Sequence, residues 1–191
     1  MLQQLIEELN CISKLTDKEQ KLIKNLIAVK HLDEGDYWYY EGKETDQVAF
    51  VAKGYLRKYY MVEEEEITEC FYFEGSFTGD LPSIISQVPC KSFNVAMEST
   101  TLLTLSYQEL NELARQSINI ERLLRKVTEQ SFVMYHEKVT SFLLQSPRER
   151  FENLFLKKPI VFKKASANHI ASYLGITPQH FSRLRSIYLK H

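Results

Sequence analysis

The strongest constraint on the fold is that the apolar residues change their period twice along the 191-residue chain. Leu2, Leu5, Ile6 and Leu9, then Leu22, Ile23, Leu26 and Ile27, recur at helical spacing within residues 1–29. Thr16 opens TDKE, a capping-box pattern that starts the second of these helices. From Lys30 onward aromatic and β-branched residues take over, punctuated by glycine at Glu34-Gly35-Asp36, Glu41-Gly42-Lys43 and Lys53-Gly54. Strand-like pieces fall at Tyr37–Tyr40, Gln47–Ala52, Tyr55–Val62, Ile67–Phe73, Phe93–Met97 and Thr101–Ser106. Short strands so spaced, with glycine turns, predict an all-β sandwich or barrel. The run Glu63–Glu66 reads as a solvated hairpin tip.

From Tyr107 the helical period returns. Ser106 can cap a short helix over Gln108–Arg115, and a longer one is expected from about Ile118 to Gln145. Along it Ile120, Leu124, Val127, Ser131, Met134, Lys138 and Ser141 alternate four- and three-residue steps, a heptad-like stripe suited to a partner helix. Ile120, Leu124, Val127 and Met134 are the candidate dimer residues, in a stripe shared between a two-fold partner and the chain's own β domain. Ser146-Pro147 breaks this helix and begins another over Arg148–Leu156, which Lys157-Lys158-Pro159 closes. The domains expected are therefore 1–117, 118–146 and 147–191.

The tail reads SANHIASYLGITPQHFSRLRSIYLKH. Ser166 is a fair N-cap, and Ala167, Ile170, Ala171 and Leu174 form one helix face. Gly175 suits a left-handed helix end, Thr177 can cap the next helix, and Pro178 sits at its first position. Phe181, Leu184 and Tyr188 face inward, leaving Gln179, His180, Ser182, Arg183 and Arg185 outward. This is the pattern of a helix-turn-helix with a donor-rich second helix, although an ordinary helical hairpin shares its outline.

Charge favours the DNA reading. From His136 to His191 the chain holds 10 Lys+Arg against three acids, +7, while the remainder carries −8; the overall −1 conceals the split. A basic end on an acidic body is the footprint of nucleic-acid binding. No segment has the run of roughly 18 apolar residues that a membrane span needs, and the acidic N-terminus MLQQLIEELN is unlike a signal peptide, so a cytoplasmic protein is expected. Cys11, Cys70 and Cys90 lack metal-ligand spacing, so no metal is expected, and incidental thiols are the default. Tyr37–Ser106 contains no histidine, which argues against a metal-dependent β-barrel enzyme and against a haem; no cofactor and no catalytic residue is assigned.

The order helix, β-roll, long helix, break and helix-turn-helix resembles the cyclic-AMP receptor protein / fumarate-nitrate regulator (Crp/Fnr) family of transcription factors. EGDYWYYEGKETDQVAFVAKGYLRKYY is similar to that family's first β-roll hairpins, FEGSFTGDLPS to the stretch entering its effector pocket, and ASYLGITPQHFSRLR to its DNA-reading element. The short loops and the SPRER segment look most like short members in Bacteroidetes-type bacteria. The resemblance implies an α+β chain: an N-terminal double-stranded β-helix (jelly roll), a dimerisation helix and a C-terminal winged-helix-like head. Such members usually continue into a β-hairpin wing, which this sequence leaves short or absent.

By the same resemblance Gln179, His180 and Arg183 reach base edges, chemistry their donors and acceptors allow. Lys163, Lys164, Ser166, Thr177, Ser182 and Arg185 read as contacts to the DNA backbone. The effector pocket is expected at Gly79, Asp80, Leu81, Lys91 and Ser92. Gly79-Asp80 stands for the glycine–glutamate pair that holds a ribose hydroxyl. No arginine lies between Arg57 and Arg115, and Pro89-Cys90-Lys91-Ser92 stands where the phosphate-binding arginine is expected. Lysine supplies a point charge without the planar fork, so cyclic AMP is not the expected ligand; another small molecule, or none, remains open. The implied partners are a pseudo-palindromic double-stranded DNA operator, a second copy of the chain and RNA polymerase, with no membrane. A small-molecule-binding or scaffold module with a degenerate DNA head is the alternative.

Overall fold

The computed structural model describes residues 1–188. Residues 189–191, which include Lys190 of the basic tail and the end at which the wing is expected to be short or absent, lie outside the described residues. The chain forms two compact units, one of Met1–Lys58 with Phe71–Ser131 and the other of Tyr59–Cys70 with residues 132 onward.

The first unit starts with α1 (Leu2–Ile12) and α2 (Asp17–Leu26). The strands of the chain are β1 (Ala28–Leu32), β2 (Tyr37–Tyr39), β3 (Gln47–Lys53), β4 (Tyr55–Val62), β5 (Glu65–Phe73), β6 (Phe77–Thr78), β7 (Phe93–Ala96) and β8 (Thr100–Ser106). Among the described residues they form two four-stranded sheets, ordered β1-β8-β3-β6 and β2-β7-β4-β5. A short α3 (Leu81–Ser86) follows β6, and α4 (Tyr107–Ala114) follows β8. The expected helix at residues 28 and 29 is strand instead: β1 pairs antiparallel with β8, Ala28 opposite Thr104. Gly54 between β3 and β4 has φ +84°, and a Cβ there would lie 2.7 Å from the Ser99 carbonyl, so only glycine fits the turn.

Alternation along β3 and β8 sends Phe50, Ala52, Leu103 and Leu105 to one face, where they pack with Leu5, Ile6, Leu9, Ile23, Leu110, Ile120 and Leu123. Phe50 lies directly opposite Leu103 in the register, and both are fully buried. The first turns of α5 (Ile118–Leu144) are therefore part of this core. Ile120 has no exposed surface, and Leu124 and Val127 pack against the same cluster, so these three expected dimer residues are taken up by the chain's own sheet.

The second unit holds the tip of the β4–β5 hairpin, residues 132–144 of α5, and four shorter helices. These are α6 (Pro147–Lys157), α7 (Pro159–Lys164), α8 (Ala167–Leu174) and α9 (Pro178–Tyr188). Ser146 caps α6 through a reciprocal capping box with Glu149. The Lys158-Pro159 break does not simply close α6: proline at a first helical turn sacrifices no hydrogen bond, and α7 begins there. No described helix is long and apolar enough to cross a membrane.

Glu19 ties α2 to the start of α5. Its carboxylate accepts from the Thr16 backbone at 2.7 Å, from Asn119 Nδ2 at 3.2 Å and from the Ser117 hydroxyl. The Ser117 bond, followed by the Thr16 backbone bond, lowers its pKa from 4.5 to about 2. A carboxyl depressed on folding contributes stability that is fully present above its unfolded pKa and lost as pH falls through the folded value. The wild-type advantage in melting temperature over Glu19→Gln is therefore expected to hold above pH 4.5 and to shrink between pH 4.5 and 2. An advantage independent of pH would show that the charged carboxylate is not what joins the helices.

Candidate nucleic-acid interface and roll interior

The tail is organised by caps and by an aromatic core. Ser166 Oγ accepts from the His169 amide at 3.2 Å to start α8, and Thr177 Oγ1 accepts from the His180 amide at 3.2 Å to start α9. Gly175 ends α8 at φ 64°, ψ 43°, the left-handed conformation expected of it. A Cβ there would lie 2.7 Å from Phe142 Cε1, so close approach adds a second demand for glycine. On the inner side of α9, Phe181 and Tyr188 cluster with Phe151, Phe155 and Phe162, stacked, tilted or edge-to-face, at centroid separations of 5.2–6.3 Å. Phe151 and Phe181 are buried, as is Leu184. Aromatic pairs of this kind hold a helix face in a fixed orientation.

On the opposite face of α9, Gln179 and Arg183 are exposed and His180 is half-buried, one helical turn apart. Arg185 is exposed beside them, and Lys163 and Lys164 stand exposed in the last turn of α7, just before the Ser166 cap. Ser182 Oγ donates to the Pro178 carbonyl at 2.9 Å, which turns this expected backbone contact toward its own helix. The surface thus offers guanidinium, amide and imidazole groups on α9, flanked by cations and two helix N-termini.

The head is latched to the β4–β5 hairpin. β5 is an edge strand, and its Thr68 amide, in a buried residue, donates to Ser172 Oγ of α8 at 2.9 Å. Ser172 Oγ in turn donates to the Glu66 carbonyl at 2.8 Å. Lys138 of α5 reaches the Glu69 carbonyl, and its ammonium lies 4.2 Å from the centre of the Tyr173 ring. Burial pushes the Tyr173 hydroxyl up to about 12. Arg150 Nε donates to the Leu174 carbonyl at 3.0 Å and its Nη1 to the Gln145 carbonyl at 2.8 Å, with the guanidinium 4.7 Å over the Phe142 ring. A cavity of about 390 Å³ adjoins these groups, and Met134, expected at a dimer interface, lines it. The tip Glu63–Glu66 has exposed side chains, as expected, but its backbone is not free of contacts.

In the first unit the expected pocket residues part company. Asp80 and Ser92 are buried and meet, Ser92 Oγ donating to Asp80 Oδ2 at 3.3 Å. Gly79 and Leu81 flank them at partly buried positions, whereas Lys91 points to solvent. The cation that meets Asp80 is Lys58 of β4, fully buried, with Nζ 3.5 Å from Asp80 Oδ1. Cys90 Sγ lies 3.7 Å from Ser83 Oγ nearby, its thiol pKa raised by burial. Asn94 Nδ2 donates to Thr78 Oγ1 at 3.1 Å. Among the described residues no group of His, Cys, Asp and Glu is placed to hold a metal.

Residues 29–117 match the cyclic nucleotide-binding domain family. No curated protein sequence matches the chain. The fold is shared with solved proteins. It aligns with the catabolite activator protein of Thermus thermophilus at a TM-score of 0.60 and 18% identity, over 96% of this chain and 87% of that one. FixK2 of Bradyrhizobium japonicum gives 0.71 and 17%, over 86% and 85%. The c-di-GMP-responsive global regulator CLP of Xanthomonas campestris gives 0.65 and 13%, over 89% and 90%.

Within this matched stretch, sequence reasoning passed over Lys58, whose signal was a lysine inside the strand YLRKYYMV, where Tyr55–Tyr59 are all buried. Ser172 and Arg150 of the second unit left no local signal, because their partners are remote in sequence. Replacing Ser172 with alanine removes the acceptor of the Thr68 amide. The Thr68 amide is expected to exchange with solvent faster by NMR, with a loss of about 1 kcal/mol in stability. Unchanged exchange would show that the latch is not made through this hydroxyl.

Proposed function

We propose that the chain is a sequence-specific DNA-binding transcription regulator of the Crp/Fnr type, acting as a cytoplasmic homodimer and without catalytic activity. The observation that carries this reading is the exposed Gln179, His180 and Arg183 face of α9, held on an aromatic core behind a cyclic nucleotide-binding domain. The solved proteins of the same fold are described as an activator and a global regulator, which supports the same role here. Gln179, His180 and Arg183 read bases, while Lys163, Lys164, Arg185 and the N-terminus of α8 at Ser166 hold phosphates. Thr177 serves as the cap of α9 and Ser182 bonds its own helix, so their roles at the DNA are indirect. The short loops and the SPRER segment support reading it as a Bacteroidetes-type member, and RNA polymerase is the partner expected once DNA is bound.

The second copy docks on the later part of α5. Phe132, His136, Val139 and Leu143 follow steps of four, three and four residues and are all exposed, Phe132 at 69% and Leu143 at 75%. This is the a/d spacing of a two-helix seam. Val139→Glu is expected to yield monomers in analytical ultracentrifugation, whereas Ile120→Ala should cost about 2–5 kcal/mol of stability and leave the dimer intact. Monomers from Ile120→Ala with unaltered stability would return the interface to the earlier stripe.

Two such heads would enter successive major grooves about 34 Å apart, with binding that weakens steeply as salt rises. Arg183→Ala is expected to reduce discrimination at one base position by about 1–3 kcal/mol while sparing affinity for random DNA. Competition binding against single-position operator variants measures this. An equal loss on all DNA would overturn the base-reading role, and an absence of any sequence preference in the wild type would leave a scaffold or small-molecule module.

The roll takes no cyclic nucleotide in this reading. Arg57 and Arg115 bracket a stretch without arginine, and Lys91, the nearest substitute, faces solvent.

A further inference from the structure

Lys58, Asp80 and Ser92 converge inside the first unit with at most 4% exposure each. The ammonium of Lys58 addresses one oxygen of the Asp80 carboxylate at 3.5 Å, and the Ser92 hydroxyl addresses the other at 3.3 Å. An ammonium and a hydroxyl from two different strand regions, aimed at the two oxygens of one anion, form the donor arrangement that a bound carboxylate or phosphate requires. Asp80 has also given up a local role to be there. It occupies the N-cap position of α3, where an aspartate ordinarily accepts from the helix amides, yet its side chain makes no cap bond. Its Oδ1 and Oδ2 are turned inward to Lys58 and Ser92 instead.

We propose that Lys58 and Ser92 form an anion-binding site of the roll that is occupied from within by the Asp80 carboxylate, so that the domain holds its shape without an exogenous anion. The ligand class that fits the two donors is a small phosphate or phosphate ester, and the chain supplies its own substitute. Removal of the Asp80 carboxylate takes away the anion that Lys58 Nζ and Ser92 Oγ address, so it should convert the site into a receptor for dissolved anions. The inference rests on the reading of the roll as a domain that takes no cyclic nucleotide and is independent of the DNA-binding role.

The test compares melting temperatures of the full-length wild type, Asp80→Ala and Asp80→Ala/Lys58→Met in inorganic phosphate and in chloride at matched ionic strength. Phosphate stabilises folded proteins in general by exclusion from their surface, and the wild type and the double variant measure that background. Asp80→Ala is expected to gain several degrees more than either. An equal response in all three would overturn the proposal. If Asp80→Ala does not fold in chloride, Asp80→Asn keeps the volume of the side chain and takes its place. Should neither fold in chloride, recovery of native circular dichroism in phosphate supports the site, and no recovery in either buffer overturns it. Cyclic AMP titrated into the wild type tests the underlying reading separately: a saturable rise in melting temperature would refute that reading even where the variant gains phosphate binding.

Discussion

The face of the β1-β8-β3-β6 sheet that carries Phe50, Ala52, Leu103 and Leu105 has to be kept from water, and much of the first unit is arranged to do so. Four apolar side chains on one face of two paired strands cannot be covered by loops, because loop backbones carry polar groups of their own. Helices satisfy their own backbone, and α1, α2, α4 and the start of α5 each contribute one apolar stripe to this face. The capping box at Thr16 and the bonds from Ser117 and Asn119 to Glu19 set where α2 begins and tie it to α5. Ile120 and Leu123 are used there, whereas Phe132, Val133, Val139, Phe142, Leu143 and Leu144 farther along α5 are exposed.

The polar groups within the roll meet a stricter condition. Lys58 is fully buried and Asp80 nearly so, and each would be costly to bury alone. Their ion pair, with Ser92 on the remaining oxygen, satisfies charge and hydrogen bonding together. Such a pair is weak evidence for stability, since desolvation opposes the attraction between the charges. Its effect is on geometry: it draws the residue that precedes α3 inward, so α3 starts without a side-chain cap. The neighbouring thiol of Cys90 is buried among the same groups, and its raised pKa disfavours the reactive thiolate.

How much of this was legible from sequence follows the range of the interactions involved. Caps and turns are local, so Thr16, Ser106, Ser166, Gly175, Thr177 and Pro178 were readable in place, and most strand boundaries fell within a residue or two of their glycine turns. The strand β1 was hidden because its five residues continue an apolar run whose period is too short to separate strand from helix. The stripe Ile120, Leu124, Val127 and Met134 was visible, but periodicity says that a face is covered and not by what. The three residues nearest α4 meet the sheet, and Met134 meets a cavity. Lys58 was obscured for a similar reason. A strand covered on both faces shows no alternation, so one lysine within it does not reveal which side it occupies.

The edge of the second sheet explains why the hairpin belongs to the same compact unit as the helices of the tail. An edge strand exposes backbone amides that either meet water or invite another chain. Thr68 of β5 is buried and cannot use water, so its amide needs an acceptor, and Ser172 of α8 provides it. The same hydroxyl then donates to Glu66, so a single side chain serves a donor and an acceptor two residues apart on the strand. Lys138 adds a third bond, to the Glu69 carbonyl, and covers the Tyr173 ring. Three contacts within four residues of one strand fix the hairpin against α8 and α5, while the Gln179–Arg183 face of α9 takes no part in them. The exposed Gln179–Arg183 face is therefore separate from the contacts that hold the hairpin, so substitutions at the two places are expected to add.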